Sequence, residues 1–278
     1  MDIALAFDED YVDHARVAVE TVLEAHAGLC PVTVWLLTPV GVSRERGDEL
    51  RAQAAGRGRI HVLETDDAFR GLPRADEELV SYISAGMYLR LLLPSLLPRS
   101  VSRYLYLDAD TLCLGDLRPL WRLDLAGAPL AAVGDAFTLT CDGIPGADHR
   151  IDPRARYFNS GVLLVDPVRW RRLQISEQCF RYIDDNKGQL RFPDQDALNI
   201  AAHGNWLRLG REWNHMRGWR LEPGHSKYVP GERWPRVMHF AGPWKPWYRD
   251  FRPGLRRDRY TAVVQRLGLP VPAYDDMA

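Results

Sequence analysis

Ile3-Ala4-Leu5-Ala6-Phe7-Asp8 is a short apolar run ended by a carboxylate, and together with the segment after it this run sets the fold. Ala15, Ala18, Val19, Val22 and Leu23 then recur at i, i+3, i+4, i+7 and i+8, the spacing of one buried helix face. Asp13 is placed to cap the start of that helix and Gly28 to end it, after which 32–37 reads as a second strand. A polar helix over 44–55 and a strand over 60–63 complete a third unit. Strand, helix, strand, helix, strand at this spacing predicts right-handed crossovers and a mainly parallel sheet flanked by helices, an α/β architecture that holds nucleotides beyond the C-terminal ends of its strands. Many functions share such a start, so it sets the class and leaves the chemistry open.

Further along, 78–97 reads as a long apolar helix interrupted near Pro94, and Tyr104-Leu105-Tyr106-Leu107 as a buried strand. Another buried strand is expected over 161–165, and helices over 175–187 and 194–202. From 206 to 260 the chain is rich in Trp, Arg, Pro and Gly with little periodicity, which predicts a loop-rich flank packed over the sheet, not a second domain.

The 278 residues are 46% hydrophobic and 26% charged, enough for a sizeable core and incompatible with disorder along most of the length. A net charge of -1 provides no global basic field, so nucleic acid is not an expected partner. No apolar stretch reaches the roughly 20 residues of a membrane span, and Met1 is not followed by a basic leader, so the protein is expected to be soluble and cytoplasmic. Cys30, Cys113, Cys141 and Cys179 lack zinc-site spacing and read as reduced, mostly buried thiols.

Three D-x-D triplets stand at predicted strand ends or helix starts: Asp8/Asp10, Asp108/Asp110 and Asp194/Asp196. Two carboxylates just past a buried strand form a hard-oxygen site for Mn²⁺ or Mg²⁺, or else an ordinary strand-end turn. A second constellation is His239-Phe240-Ala241-Gly242-Pro243-Trp244-Lys245-Pro246-Trp247. It offers an imidazole for a metal, a Gly for close backbone approach and an ammonium for a phosphate; a hydrogen-bonded structural His is the alternative.

Taken in order, Phe7-Asp8-Glu9-Asp10-Tyr11, Tyr106-Leu107-Asp108-Ala109-Asp110-Thr111, Tyr157-Phe158-Asn159-Ser160-Gly161-Val162, Asp194-Gln195-Asp196-Ala197-Leu198-Asn199 and His239-x-x-Gly-x-x-Lys-Pro-Trp make the chain resemble the family 8 glycosyltransferases. It looks most like their bacterial lipopolysaccharide galactosyltransferases and glucosyltransferases, and more distantly like glycogenin. The resemblance covers 1 to about 248, with 249–278 as a C-terminal extension of one domain. It implies a GT-A (Rossmann-like) fold, a UDP-sugar donor, a divalent cation, usually Mn²⁺ with Mg²⁺ as the alternative, and retention of anomeric configuration. Carried over by position, it makes Asp108, Asp110 and His239 metal ligands, and Ala6, Asp8, Asp10, Arg90, Asp108, Ala109, Asn159, Asp194, Gln195, Gly242 and Lys245 donor contacts. The position of Asp10 is often Asn in the galactosyltransferases. Asn159 has a turn cap as its alternative role, and Asp194 a helix N-cap.

The same resemblance puts Gln195 at the anomeric carbon with Asp194 and Asp196 beside it. A neutral amide is a poor nucleophile, which favours a front-face mechanism over a double displacement on Asp196. Acceptor recognition is expected from 69–81, 137–156 and 213–234, where Trp213, Trp219, Tyr228 and Trp234 either stack on sugar rings or plug the loop-rich flank. The acceptor class stays open among lipid-linked, small-molecule and protein hydroxyls. The basic-aromatic stretch 245–260 supports at most a weak peripheral membrane contact, since the chain then ends in acidic residues. Rival functions are a nucleotide-sugar phosphohydrolase and a non-catalytic nucleotide-sugar binding module.

Overall fold

The opening apolar run becomes strand β1 (Asp2–Ala6) because both its faces are covered: Ile3 and Leu5 enter one core, Ala4 and Ala6 the other. This arrangement is seen in a computed structural model that describes residues 1–66, 85–138, 140–145, 151–187, 189–202, 204–216 and 235–275. Helix α1 (Val12–His26) buries Ala15, Ala18, Val19, Val22 and Leu23 against the Ile3 and Leu5 side. Asp13 does not cap it. A 3-10 turn, Glu9–Tyr11, feeds directly into the helix, and the Asp13 carboxylate instead takes the Arg46 guanidinium at 2.8 Å. Strand β2 (Thr33–Pro39), helix α2 (Val40–Ala52) and strand β3 (Arg59–Thr65) follow, each within a few residues of expectation.

The main sheet has the order β3-β2-β1-β4-β7-β6-β8, where β4 is Tyr104–Leu107, β6 Leu130–Gly134, β7 Phe158–Val165 and β8 Leu207–Arg208. Strands β1 to β4 are mutually parallel, β8 is parallel to β6, and only β7 runs against its two neighbours. The order turns back at β1, with β2 and β3 on one side and β4 on the other. The crevice beyond the C-terminal ends of β1 and β4 is therefore the switch point where open α/β sheets hold ligands. Because β7 is antiparallel, its beginning opens on that same edge: Val162 pairs with Leu107, leaving Phe158, Asn159 and Ser160 beyond the end of β4.

A small second ladder pairs β5 (Thr111–Cys113) with β9 (Val237–His239), Thr111 opposite His239. Helix α3 (Leu89–Leu96), preceded by a 3-10 turn at Ala85–Tyr88, runs through Pro94; the part of the expected 78–97 helix before residue 85 lies outside the described residues. Short helices α4 (Arg118–Trp121) and α5 (Pro167–Arg172) are followed by α6 (Ile175–Asp185) and α7 (Pro193–Ala202). The flank expected to be loop holds β8, β9 and, at its end, helix α8 (Leu255–Arg266). That helix docks through a narrow stripe, Tyr260, Val263 and Val264, against Val17 of α1, too few apolar positions to show as periodicity. All four cysteines are free, and among the described residues no helix is long and apolar enough to cross a membrane.

Candidate active site

The Asp108-Ala109-Asp110 turn carries the chain from β4 to β5, so the pairing of β5 with β9 delivers His239 to both carboxylates. His239 Nε2 lies 3.2 Å from Asp110 and 3.7 Å from Asp108. One ligand atom from each of the three residues falls within 4.8 Å of the others, a grouping that can hold a metal ion. Gly161 makes the approach possible: a Cβ there would overlap His239 Cε1 and come within 2.7 Å of Asp108 Oδ2. Lys245 donates to Asp110 and to the Phe240 carbonyl. Burial alone would raise the Asp110 pKa, but the Lys245 ammonium and then His239 hold it well below the usual carboxylate range, so it stays ionised.

Arg90, from α3, ties this charged cluster together. Its guanidinium meets Asp108 at 2.9 Å, Asp194 at 3.0 Å and the Ser160 hydroxyl at 2.9 Å, and lies 5.1 Å over the Tyr106 ring. Helix α7 begins at Pro193, so Asp194 sits inside its first turn, aimed at Arg90. Burial raises its pKa, with Arg90 pulling the other way.

The facing wall is made of amides. Asn159 donates to Asp135 at 3.1 Å and to Gln195 Oε1 at 3.0 Å, and that oxygen also accepts the Ser160 N–H at 3.0 Å. Gln195 Nε2 in turn donates to the Tyr157 hydroxyl at 3.1 Å. Below them, Asn199 bonds both the N–H and the C=O of Phe158, fixing the start of β7 to α7.

Both walls line one cleft of about 670 Å³. It gathers Ala6, Asp8, Arg90, Asp108, Ala109, Asp110, Asn159, Asp194, Gln195, His239, Gly242 and Lys245. Two expected residues stay out of it. Asp10 is exposed in the 3-10 turn, and Tyr11 lines the cleft instead. Asp196 is buried behind the amide wall, accepting from the Tyr157 hydroxyl at 2.6 Å and the Phe192 N–H at 3.1 Å, and burial pushes its pKa up to about 6. Sequence reading gave no role to Asp135, which follows β6, or to Ser160, which it quoted only within the 157–162 motif.

Of the regions expected to meet an acceptor, exposed Phe137 and Thr138 line the cleft, joined by Arg191 and Phe192. Trp213 packs against the core, whereas Trp219, Tyr228, Trp234 and 69–81 lie outside the described residues. The C-terminal extension reaches the site as well: Arg256 donates to the His239 carbonyl at 2.9 Å, and Tyr274 to the Pro246 carbonyl at 2.7 Å.

The sequence profile described as glycosyl transferase family 8 matches residues 2–250. The chain belongs to glycosyl transferase family 8. Within it, the chain is 32% identical over 192 residues to General stress protein A of Bacillus subtilis (strain 168), covering 61% of this chain and 64% of that one. It is 31% identical over 174 residues to the lipopolysaccharide 1,2-glucosyltransferase of Escherichia coli (strain K12), covering 60% and 50%. The matched parts thus span less than two thirds of either relative's length. Its fold is similar to that of the galactosyltransferase LgtC, solved with donor and acceptor sugar analogues, with a TM-score of 0.76, 27% identity and 96% of both chains covered. The GT-A architecture follows from that similarity.

Proposed function

We propose that this family 8 member is a metal-dependent, retaining hexosyltransferase moving glucose or galactose from a UDP-sugar to a hydroxyl acceptor. The observation that carries the reading is the meeting, in one cleft, of Asp108, Asp110 and His239 with the Lys245 ammonium on one side and an ordered amide wall on the other. Two hard carboxylates and an imidazole suit Mn²⁺ better than Mg²⁺. An ion held by these three residues would supply Lewis-acid stabilisation of the departing UDP.

The protein's own groups do the rest. Lys245 presents a second positive charge to the diphosphate, and Gly242, held at φ +91°, lets the backbone approach it without a side chain. Asn159, Asp194 and Gln195 offer the mixed donors and acceptors that distinguish hexose hydroxyls. Asp196 faces Tyr157 and the Phe192 N–H, and does not line the cleft. That favours a front-face reaction, in which the leaving phosphate takes the acceptor proton, over a double displacement on Asp196. The names of the glucosyltransferase relative and of LgtC support a hexose donor. Four free cysteines support a cytoplasmic setting.

A thermal-shift panel of UDP, UDP-glucose and UDP-galactose, each with Mn²⁺ or EDTA, tests the binding half of the proposal. We expect stabilisation that needs Mn²⁺; its absence with every nucleotide rules the donor out. Turnover of a UDP-sugar that no hydroxyl acceptor accelerates would instead mark a phosphohydrolase, and an inverted anomer in the product would overturn retention.

A further inference from the structure

The orientation of His239 is decided at some distance from it, by a chain of groups that admits one set of proton positions. Asp135 is the fixed end: its carboxylate only accepts, so the Asn159 group facing it at 3.1 Å is the NH₂. The Gly161 N–H confirms that choice from the other side, donating to Asn159 Oδ1 at 3.0 Å. Asn159 Oδ1 therefore accepts from Asn214, whose NH₂ stands 2.8 Å away. With its NH₂ so committed, Asn214 turns its carbonyl oxygen to His239 Nδ1, 2.9 Å away. An amide oxygen only accepts, so His239 carries a proton on Nδ1 and directs Nε2 at Asp108 and Asp110.

The geometry points to Asn214 as a positioning residue that fixes His239 as an Nε2 ligand through the Asp135–Asn159–Asn214 relay, so that the sugar wall and the cation site share one hydrogen-bond chain. Asn214 is placed for the task by backbone pairing. The His215 N–H donates to the Val237 carbonyl at 2.8 Å and the His239 N–H to the His215 carbonyl at 3.1 Å, locking the segment alongside β9. The side chain is almost wholly buried, so water cannot replace the bond it makes. Groups behind a ligand that set its tautomer typically change metal affinity by about 10- to 100-fold when removed.

The inference rests on the proposed cation site for its consequence, but not for its first test. In metal-free protein at pH 8, ¹⁵N-histidine spectra should show His239 protonated at Nδ1 with that proton protected from solvent exchange. An unprotonated Nδ1 overturns the relay, whatever the protein binds. Two variants then read the consequence by calorimetric titration of Mn²⁺ in the presence of UDP. Asn214→Leu, which removes both bonds while keeping the same branching of heavy atoms, should weaken Mn²⁺ about tenfold. Asn214→Asp keeps an acceptor opposite Nδ1 but loses the donor to Asn159 Oδ1, so its spectra should keep the protected Nδ1 proton without the relay's link to Asn159. Equal Mn²⁺ affinity in wild type and Asn214→Leu, or a folded Asn214→Asp whose His239 has lost the Nδ1 proton, overturns the positioning role. Failure of the wild type to bind Mn²⁺ with UDP counts against the proposed function, and the spectra still decide the relay.

Discussion

The two walls of the cleft hold their shape by opposite means. Asp108, Asp110, Arg90 and Lys245 are charges drawn from distant parts of the chain and held by one another across it. Asn159, Gln195 and Asn199 are neutral and are held by hydrogen bonds, Asn199 to backbone groups of Phe158 and Gln195, Asn159 and Gln195 mainly to each other and to the side chains of Asp135, Tyr157 and Asn214. A charged wall of this kind answers to ions and to any lost partner, because a buried charge without its counterpart is costly. The amide wall answers to the direction of its hydrogen bonds. Damage to the first should therefore appear in binding, and damage to the second in turnover, except along the Asn159–Asn214 link that joins the two walls.

The sharpest way to break that division is Asp110→Ala, which removes a cation ligand and the partner of Lys245 together. Mn²⁺-dependent UDP binding should fall at least about 100-fold by calorimetry, at the upper end of what such ligand-shell losses cost. Gly161→Ala attacks the charged wall from the amide side, since its new methyl group displaces the His239 ring. Mn²⁺ affinity should drop by about 10- to 100-fold although no ligand has changed. Gln195→Ala should do the converse: kcat lower by about tenfold or more with UDP affinity unchanged, which steady-state kinetics and titration separate.

A last effect, on stability and not on binding or turnover, concerns Asp196, whose pKa burial raises from the usual carboxylate range to about 6. Between about pH 4 and 6 the folded state holds a proton that the unfolded chain releases, so this group stabilises the protein in acid and the contribution is lost as pH rises through that window. Asp196→Asn should remove a change of roughly 3 kcal/mol from the stability measured by denaturation across it, given about 1.4 kcal/mol per pKa unit.

The first half of the fold was legible because its apolar residues obey a period: Ile3 to Phe7 and the Ala15 to Leu23 face need only their neighbours to be read. Asp108, Asp110 and His239 were legible as motifs, and the β5–β9 register brings them together. Asp135 and Asn214 were not, since each is one polar residue without a pattern, given meaning by contacts with Asn159 across long sequence separations. Asp13 misled because a capping residue and an ion-pair partner look alike in sequence, and only the 3-10 turn before α1 settles which it is. Asp10 and Asp196 misled in a similar way: spacing cannot say which carboxylate of a D-x-D pair faces the cleft.

The β5–β9 ladder has a consequence for how the protein comes into being. Asp110 and Lys245 are 135 residues apart, and His239 arrives on the same late strand. Contacts at such separations form after local ones, because closing the intervening loop precedes any reward. A refolding chain is therefore expected to regain its helices and the β1–β2–β3 sheet while Asp108 and Asp110 still face water, so far-UV circular dichroism should recover ahead of Mn²⁺ binding at the proposed site. By most spectroscopic measures the protein would then be folded before the proposed cation site is assembled.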